Sequence, residues 1–260
     1  MMKKPFSATA LPADTRVAVL ADWRQMSYVE CGASAGVPLF FFHDAPGSRM
    51  QRHPDRSIAQ RLGMRVIHLE RPGYGMTSAK SKNSLRDWVA DVADFADHAE
   101  IENFSIAATG AGAPYALACA ALLPQRVRRV ALAASYVEAA LLEQHTERRL
   151  RIKLWLARQA PNLLRIALQK SARRAAREPD RYVDRLLRRL PAFDAEVLRE
   201  SAVRARIMRD LPEAYRQRTK GLRLDLDVLA RPWNLPLDKI ACPVALWHGS
   251  TDPIVPLIAA

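Results

Sequence analysis

The sequence predicts an α/β fold in which a doubly wound, mostly parallel sheet carries an inserted helical region. The chain has 260 residues, of which 49% are hydrophobic and 26% charged, a composition typical of a globular protein with a sizeable core. Short apolar runs alternate with helix-like stretches, as in parallel sheets covered on both faces. One long helical stretch interrupts this alternation and concentrates the positive charge. These observations exclude a disordered or low-complexity chain.

The first elements predicted along the chain form an antiparallel hairpin. Val17–Ala21 and Met26–Cys31 have strand character and flank a short turn at Asp22–Gln25. Later apolar runs predict further strands at Val37–Phe42, Arg65–Leu69, Asn103–Ala108, Val127–Ala134 and Pro243–Trp247, with helices at Ser84–Glu100 and Ala111–Leu123.

The segment Phe104–Gln125 contains no charged residue, and its length alone would raise the question of a membrane span. Thr109, Gly110, Gly112 and Pro114 interrupt it, however. A strand, a tight turn and a helix of small residues explain the segment better, so no transmembrane segment is predicted.

The inserted region is predicted to be almost entirely helical. Between residues 141 and 240 there are 24 Lys and Arg against 13 Asp and Glu, which accounts for +11 of the net charge of +13. Leu, Ile and Trp recur at helical spacing in four stretches: Arg148–Leu156, Leu163–Arg174, Arg181–Leu190 and Ala195–Arg209. We therefore expect three parts, a core over 1–136, a helical insertion over 137–235, and a return to the core over 236–260.

The cysteines and the N-terminal sequence indicate the cellular compartment in which the protein is expected. Cys31, Cys119 and Cys242 lie far apart without a C-x-x-C pair, which predicts neither a disulfide framework nor a zinc site. The apolar stretch after Lys3 and Lys4 is too short for a signal peptide. The sequence thus predicts a cytoplasmic protein with free thiols and no cofactor or metal.

Several motifs in chain order resemble those of the α/β-hydrolase fold family with a helical cap. His43–Ser48 is similar to the family's H-G-x-P-G-S turn, and Glu70–Gly75 to its D-R-P-G-Y-G turn. Ala108–Ala118 resembles the G-x-S-G-G-G-P-Y-A-L-A nucleophile elbow. Arg231–Trp233 and Trp247–Pro256 are similar to the end of the cap and to the W-H-G-x-x-D-x-x-V-P acid loop. Together the matches cover nearly the whole chain.

The resemblance implies site residues, and two of them depart from the family pattern. The nucleophile position is Gly110, which has no side chain that could attack a substrate. The acid position is Asp252, and backbone N–H groups of Ala45 and Ala111 would form the oxyanion hole. The family's histidine follows the acid after about 20 further residues of helix and strand. We therefore expect a truncated sheet that lacks its last strand and helix, without the triad histidine.

Neighbouring residues are poor replacements on sequence grounds. Thr109 and Ser105 precede the elbow and are expected to be structural hydroxyls. His43 and His248 are expected to be structural histidines in their turns. Asp44 replaces a glycine beside the expected oxyanion hole, where its carboxylate either opposes developing negative charge or caps the turn; the turn cap is the favoured interpretation.

Three functions from different classes remain open. The first is a hydrolase-fold protein that has lost its triad and either binds a small-molecule ligand under the cap or a partner, or is the degenerate product of a shortened reading frame. The second is a working hydrolase of small ester or amide substrates with an unidentified nucleophile or base, or with a C-terminal segment from another chain. The third is a basic cap that binds anions or polyanions. The sequence contains no recognisable nucleic-acid-binding motif. The expected open edge of the sheet predicts that the protein self-associates.

Overall fold

A computed structural model of the chain describes residues 14–81, 83–188, 190–252 and 254–257. Seven strands form one sheet in the order β1-β2-β4-β3-β5-β6-β7. The strands are β1 Thr15–Val19, β2 Gln25–Gly32, β3 Val37–Phe42, β4 Met64–Leu69, β5 Phe104–Thr109, β6 Val127–Ala133 and β7 Val244–Trp247. β1 and β2 are antiparallel to their neighbours, and every pairing from β4 to β7 is parallel. The predicted mostly parallel sheet and its N-terminal hairpin are confirmed.

Helices cover both faces of the sheet, as the doubly wound prediction requires. The helices of this part are α1 Ser57–Arg61, α2 Leu85–His98 and α3 Ala113–Leu122. The α2 helix begins at a true N-cap, because the Ser84 hydroxyl accepts the N–H of Asp87 at 3.1 Å. The predicted bounds of α2 are thereby confirmed to within two residues at each end.

Alternation along β3 separates two unlike faces of the sheet. Phe40 and Phe42 are fully buried in the main core with residues of α2 and α3, including Trp88 and Tyr115. The residues between them point to the opposite face, where the short α1 contacts β2 and β4. One face is therefore densely covered, and the other is covered by a single helix of five residues.

Seven helices lie between β6 and β7 in the described part of the chain, and all but the first contribute residues to a second apolar core. They are α4 Ala139–His145, α5 Arg148–Gln159, α6 Pro161–Arg177, α7 Pro179–Leu187, α8 Ala192–Arg199, α9 Ser201–Ala214 and α10 Lys220–Leu229. The prediction of one helix over Ala195–Arg209 is wrong, since the extended backbone of Glu200 separates α8 from α9. The α4 and α10 helices were not predicted.

The last strand is the most exposed of the sheet. β7 pairs with β6 along one side, and all four of its residues are exposed. Trp247 is 62% exposed, Leu246 46% and Val244 43%, although these are the residue types that strands bury. Among the described residues, the outer edge of β7 has no strand partner.

Two further sequence expectations can be compared with the structure. Phe104–Gln125 folds as β5, a tight turn and α3, as predicted, and no described helix combines the length and apolar character needed to cross a bilayer. Cys31, Cys119 and Cys242 carry free thiols. Of the three, Cys119 is buried, and burial raises the pKa of its thiol.

Candidate active site

The turn between β5 and α3 has the shape of a nucleophile elbow with glycine at its tip. β5 ends at Thr109, and a single 3-10 turn over Gly110–Gly112 leads into α3. Gly110 has φ of +50°, a left-handed conformation that costs a residue with a side chain on the order of 1 kcal/mol or more. The sharp strand-to-helix turn predicted from the sequence is present, and its tip offers no nucleophilic atom.

A carboxylate occupies the position where the family resemblance placed an oxyanion. Asp44, which follows β3 and His43, accepts the backbone N–H of Ala111 on its Oδ1 at 2.8 Å. The backbone N–H of Ala45 lowers the pKa of the same carboxyl. The two predicted donors therefore both act on the Asp44 carboxylate, and the donor of Ala111 is hydrogen bonded to it. The favoured interpretation of Asp44 as a cap of its own turn is wrong, because its carboxylate crosses to the elbow 67 residues away.

Gly110 and Asp44 are sterically linked. A Cβ atom on Gly110 would lie less than 3.0 Å from the Oδ1, Oδ2 and Cγ atoms of Asp44, a separation that real Cβ atoms essentially never show. A side chain at position 110 would therefore require the Asp44 carboxylate to move from its position on the N–H of Ala111.

Burial determines the electrostatics of Asp44. Desolvation raises the pKa of its carboxyl, while the hydrogen bonds from Ala111 and Ala45 and the charge of Arg71 lower it. Arg71 does not form an ion pair with this carboxylate; it donates to the backbone carbonyls of His43 and Asp44 instead. The Asp44 carboxylate is consequently stabilised by backbone N–H groups and not by an ion pair with Arg71.

The predicted acid residue lies in a loop that is closed on itself. Asp252 Oδ1 accepts the backbone N–H groups of Ile254 at 2.8 Å and Val255 at 3.1 Å. Its Oδ2 lies 3.6 Å from His248 Nε2, which also lies 2.6 Å from the carbonyl oxygen of Val255. The Asp252 carboxylate and the Nε2 atom of His248 are therefore engaged within one loop, whereas the buried Nδ1 atom of His248 has no hydrogen-bond partner among the described residues.

His43 is similarly enclosed by its own turn. Its Nδ1 lies 2.7 Å from the carbonyl oxygen of Asp44, and its Nε2 accepts the backbone N–H of Arg71 at 3.2 Å. Burial and the nearby Arg71 charge lower the pKa of His43 well below its usual value. A neutral ring with both nitrogens engaged has no free atom for proton transfer.

A buried charge network joins the helical segment to the sheet beside this site. Asp225 of α10 accepts hydrogen bonds from Arg71, at 2.6 Å from Nη2, and from the hydroxyls of Tyr74 at 2.7 Å and Tyr115 at 2.8 Å. Arg71 and Asp225 are at most 1% exposed. The Glu70-to-Gly75 motif thus acts in packing, because it anchors α10 through this network.

A cavity of about 530 Å³ opens at the elbow. Asp44, Thr109, Gly110, Tyr136 and Asp252 line its inner end. The rest of its wall comes from the sparsely covered face of the sheet, from α1, from the loop after Ser48, and from Arg206 of α9. This volume is in the range of pockets that bind small organic molecules.

Comparison with known proteins agrees with the fold. The family model for the alpha/beta hydrolase fold matches residues 37–260. The chain belongs to the α/β-hydrolase fold family. The hydrolase YcgS of Bacillus subtilis is 24% identical over 228 residues, which cover 85% of this chain and 77% of that protein.

Solved structures of this family superpose over nearly the whole chain. A hydrolase from Pseudomonas aeruginosa has a TM-score of 0.68 and 16% identity, covering 95% of this chain and 84% of that one. The enol-lactonase from Burkholderia xenovorans has a TM-score of 0.65 and 17% identity, with 94% and 85% covered. At these identities the likeness describes the shared fold and leaves the chemistry to the residues of the site.

Sequence reasoning identified the turns of this site and missed its contacts. It placed Gly110, Ala111 and Ala45 at the elbow, and the structure brings them together. It did not predict that the Asp44 carboxylate would lie between them, or that Arg206 would line the cavity. The substitution of the motif glycine by Asp44 was the available signal for the first of these contacts.

Proposed function

We propose that this chain is a hydrolase-fold protein whose nucleophile-elbow chemistry is lost and which acts by binding a small molecule in the cavity beside the elbow. The observation that carries the proposal is the Asp44 carboxylate on the N–H of Ala111, opposite Gly110. This pair removes the attacking atom and fills the oxyanion hole in one arrangement. The helical segment, proposed as a cap over residues 137–235, contributes Arg206 to the cavity wall.

Electrostatics adds to the loss of the nucleophile. Acyl transfer requires hydrogen-bond donors that point at the oxygen on which negative charge develops. Here those donors already hold a carboxylate, so a substrate carbonyl would meet like charge and find the donors occupied. Removing the nucleophile alone costs serine hydrolases about 10⁶ in kcat. We therefore expect no triad-type hydrolysis.

Other hydroxyls near the elbow support a second nucleophile poorly. Thr109 lines the cavity, and its hydroxyl donates to Gln51 Oε1 at 3.5 Å, while no basic side chain of the described residues is hydrogen bonded to it. Gln51 Oε1 in turn accepts the backbone N–H of Asp44 at 2.6 Å, which fixes the turn. Activation of a hydroxyl requires a base within hydrogen-bond reach. The alternative of a working hydrolase with a displaced nucleophile has no such base at Thr109.

The test is esterase turnover together with covalent labelling. Wild-type protein is mixed with p-nitrophenyl butyrate, and separately with a fluorophosphonate probe followed by intact mass measurement. We expect a rate equal to that of buffer and no stoichiometric adduct. An adduct on Thr109, or turnover that Asp44→Asn abolishes, would establish a catalytic site and overturn the proposal.

A further inference from the structure

The cavity beside the elbow has two unlike walls. One wall is the sparsely covered face of the sheet with α1, and its side chains are mostly apolar, with Cys31 and His68 as the exceptions. They include Leu39, Phe41, Ile58, Leu62, Met64 and Val66. Leu62 remains 67% exposed. A wall of this kind favours an apolar ligand body, because each buried Å² of apolar surface contributes roughly 25 cal/mol.

The opposite wall is basic. Arg52, His53, Arg56 and Arg206 line the cavity, and the same four residues also line a neighbouring cavity of about 260 Å³ to which Arg209 is added. The two cavities therefore share a cationic rim. Arg52 and Arg56 are partly neutralised, since each lies 2.6 Å from the same Oδ2 atom of Asp14.

Arg206 differs from the other arginines of this rim. It is half-buried on α9, and its Nη1 donates to the backbone carbonyl of Arg52. No carboxylate of the described residues lies within salt-bridge distance of Arg206. Burial lowers its pKa, and the charge that opposes this effect comes from Asp210. Burial also raises the pKa of the Asp210 carboxyl, to about 7, so the compensating charge is incomplete at neutral pH. The planar guanidinium of Arg206 is suited to binding a carboxylate, because the two groups can form two parallel hydrogen bonds.

The inner end of the cavity has the opposite polarity. Asp44 and Asp252 line it, and Asp44 is held there by Ala111. An anionic group placed at the elbow would meet these carboxylates, whereas one placed at Arg206 would meet an unpaired cation. The polarity therefore orients a ligand with its anionic end at the rim and away from the oxyanion donors.

We propose that the cavity binds an amphipathic monocarboxylate, with the carboxylate on Arg206 and the apolar body against Phe41, Met64 and Val66. This inference rests on the proposed binding function and adds the ligand class. It also gives the ligand an orientation opposite to that of an ester substrate, whose carbonyl oxygen would lie at the donors of Ala45 and Ala111.

Calorimetric titration with octanoate, 1-octanol and octylamine tests the ligand class. The three probes share one apolar body and differ in charge. We expect octanoate to bind about tenfold more tightly than 1-octanol and octylammonium to bind more weakly than either, because hydrogen bonds between charged groups are stronger than those of a neutral hydroxyl. Equal binding of octanoate and 1-octanol would overturn the carboxylate assignment and leave the binding function intact.

Variants locate the carboxylate. Arg206→Gln is expected to raise the Kd of octanoate about tenfold and leave that of 1-octanol unchanged, while Arg206→Lys keeps most of the preference. Arg86→Gln removes the same charge from α2, on the other face of the sheet, and controls for the basic character of the chain. Octanoate affinity that falls equally in Arg86→Gln and Arg206→Gln would show nonspecific attraction and overturn the site. If none of the probes binds and esters are turned over, the proposed function itself fails.

Discussion

Two carboxylates lie beside the same turns and have opposite roles. The buried Asp225 has Arg71 as an ion-pair partner and the hydroxyls of Tyr74 and Tyr115 as further donors. The half-buried Asp44 accepts the backbone N–H of Ala111 and has no ion-pair partner among the described residues. The Asp225 carboxylate has an ion-pair partner and joins α10 to the sheet domain. The Asp44 carboxylate instead occupies a backbone donor at the elbow.

The difference teaches that the donors around a carboxylate and its burial together decide its role. Replacing one member of a closed ion pair leaves a buried charge without a partner, which is costly. Replacing Asp44 leaves two backbone donors that the open cavity can hydrate. The following experiments separate these two situations, from the largest expected effect to the smallest.

Asp225→Ala is expected to give the largest loss of stability. It leaves Arg71 buried without its partner and removes the acceptor of two tyrosine hydroxyls, so we expect a loss of about 3–5 kcal/mol in the free energy of unfolding. Urea denaturation measures it. Asp227→Ala on the same helix removes an exposed partner of Arg231 and is the matched control, with an expected cost below about 1 kcal/mol. Equal costs in the two variants would contradict the role of the network.

Gly110→Ala is expected to cost about 2–4 kcal/mol, because backbone strain adds to overlap with Asp44. Gly63→Ala isolates the backbone contribution, since Gly63 has φ of +62° and open space around its Cβ position. When Asp44→Gly is added to Gly110→Ala, the further loss in the free energy of unfolding caused by Gly110→Ala should fall to the loss caused by Gly63→Ala. Simple additivity of the two changes would show that positions 44 and 110 are independent.

The serine version of this experiment tests the chemistry. Gly110→Ser, alone or with Asp44→Gly, is expected to remain without esterase activity, because an unactivated hydroxyl is a poor nucleophile. The rate of p-nitrophenyl butyrate hydrolysis measures this outcome. If Gly110→Ser with Asp44→Gly hydrolysed the ester well above buffer, a working base would be present, and the interpretation of His43 and His248 as enclosed residues would be wrong.

Asp210 should make stability depend on pH. Burial raises the pKa of the Asp210 carboxyl to about 7. The hydrogen bond from the Ser48 hydroxyl and the positive charge of Arg206 lower this pKa, and the negative charge of Glu70 raises it. The folded state then holds a proton that the unfolded state has released, so stability falls as pH rises from about 4 to 7. Between pH 5 and 8 we expect a loss of roughly 2 kcal/mol from this group. Thermal unfolding of Asp210→Asn should show a flatter profile over the same range.

The smallest expected effect on stability concerns the edge of β7. Trp247→Lys should change the free energy of unfolding by less than about 0.5 kcal/mol and should reduce self-association, because charged residues on an edge prevent strand pairing. Light scattering coupled to chromatography measures the association. Trp155→Lys on α5 changes an equally exposed tryptophan away from the edge and serves as control. Wild-type protein that is monomeric at all concentrations would refute edge pairing.

The sheet could be predicted from the sequence because its signals are local. Runs such as Val37–Phe42 are apolar throughout, and the structure has β3 over these same residues. Ser84 marks the start of α2 as an N-cap residue. By contrast, no glycine or proline marks the break at Glu200, and the predicted helix continued through it.

The candidate site could be predicted only as far as its turns. Gly110 was identified because the elbow motif has a fixed register with the strand and helix around it. The contact of Asp44 with Ala111 spans 67 residues, and it depends on how closely two strand ends approach. Arg206 reaches the cavity from a helix whose start was not predicted. Such contacts arise from tertiary packing, which one sequence pattern does not encode.

The anchoring of α10 also determines how a molecule reaches the elbow. Arg71 is bonded at once to Asp225 and to the backbone of His43, and Gln217 donates to the carbonyls of Tyr74, Gly75 and Thr77. A hinged opening at this end would break these bonds together. We therefore expect a ligand to enter the cavity on the side of α1 and the loop before it, whose residues also line the cavity.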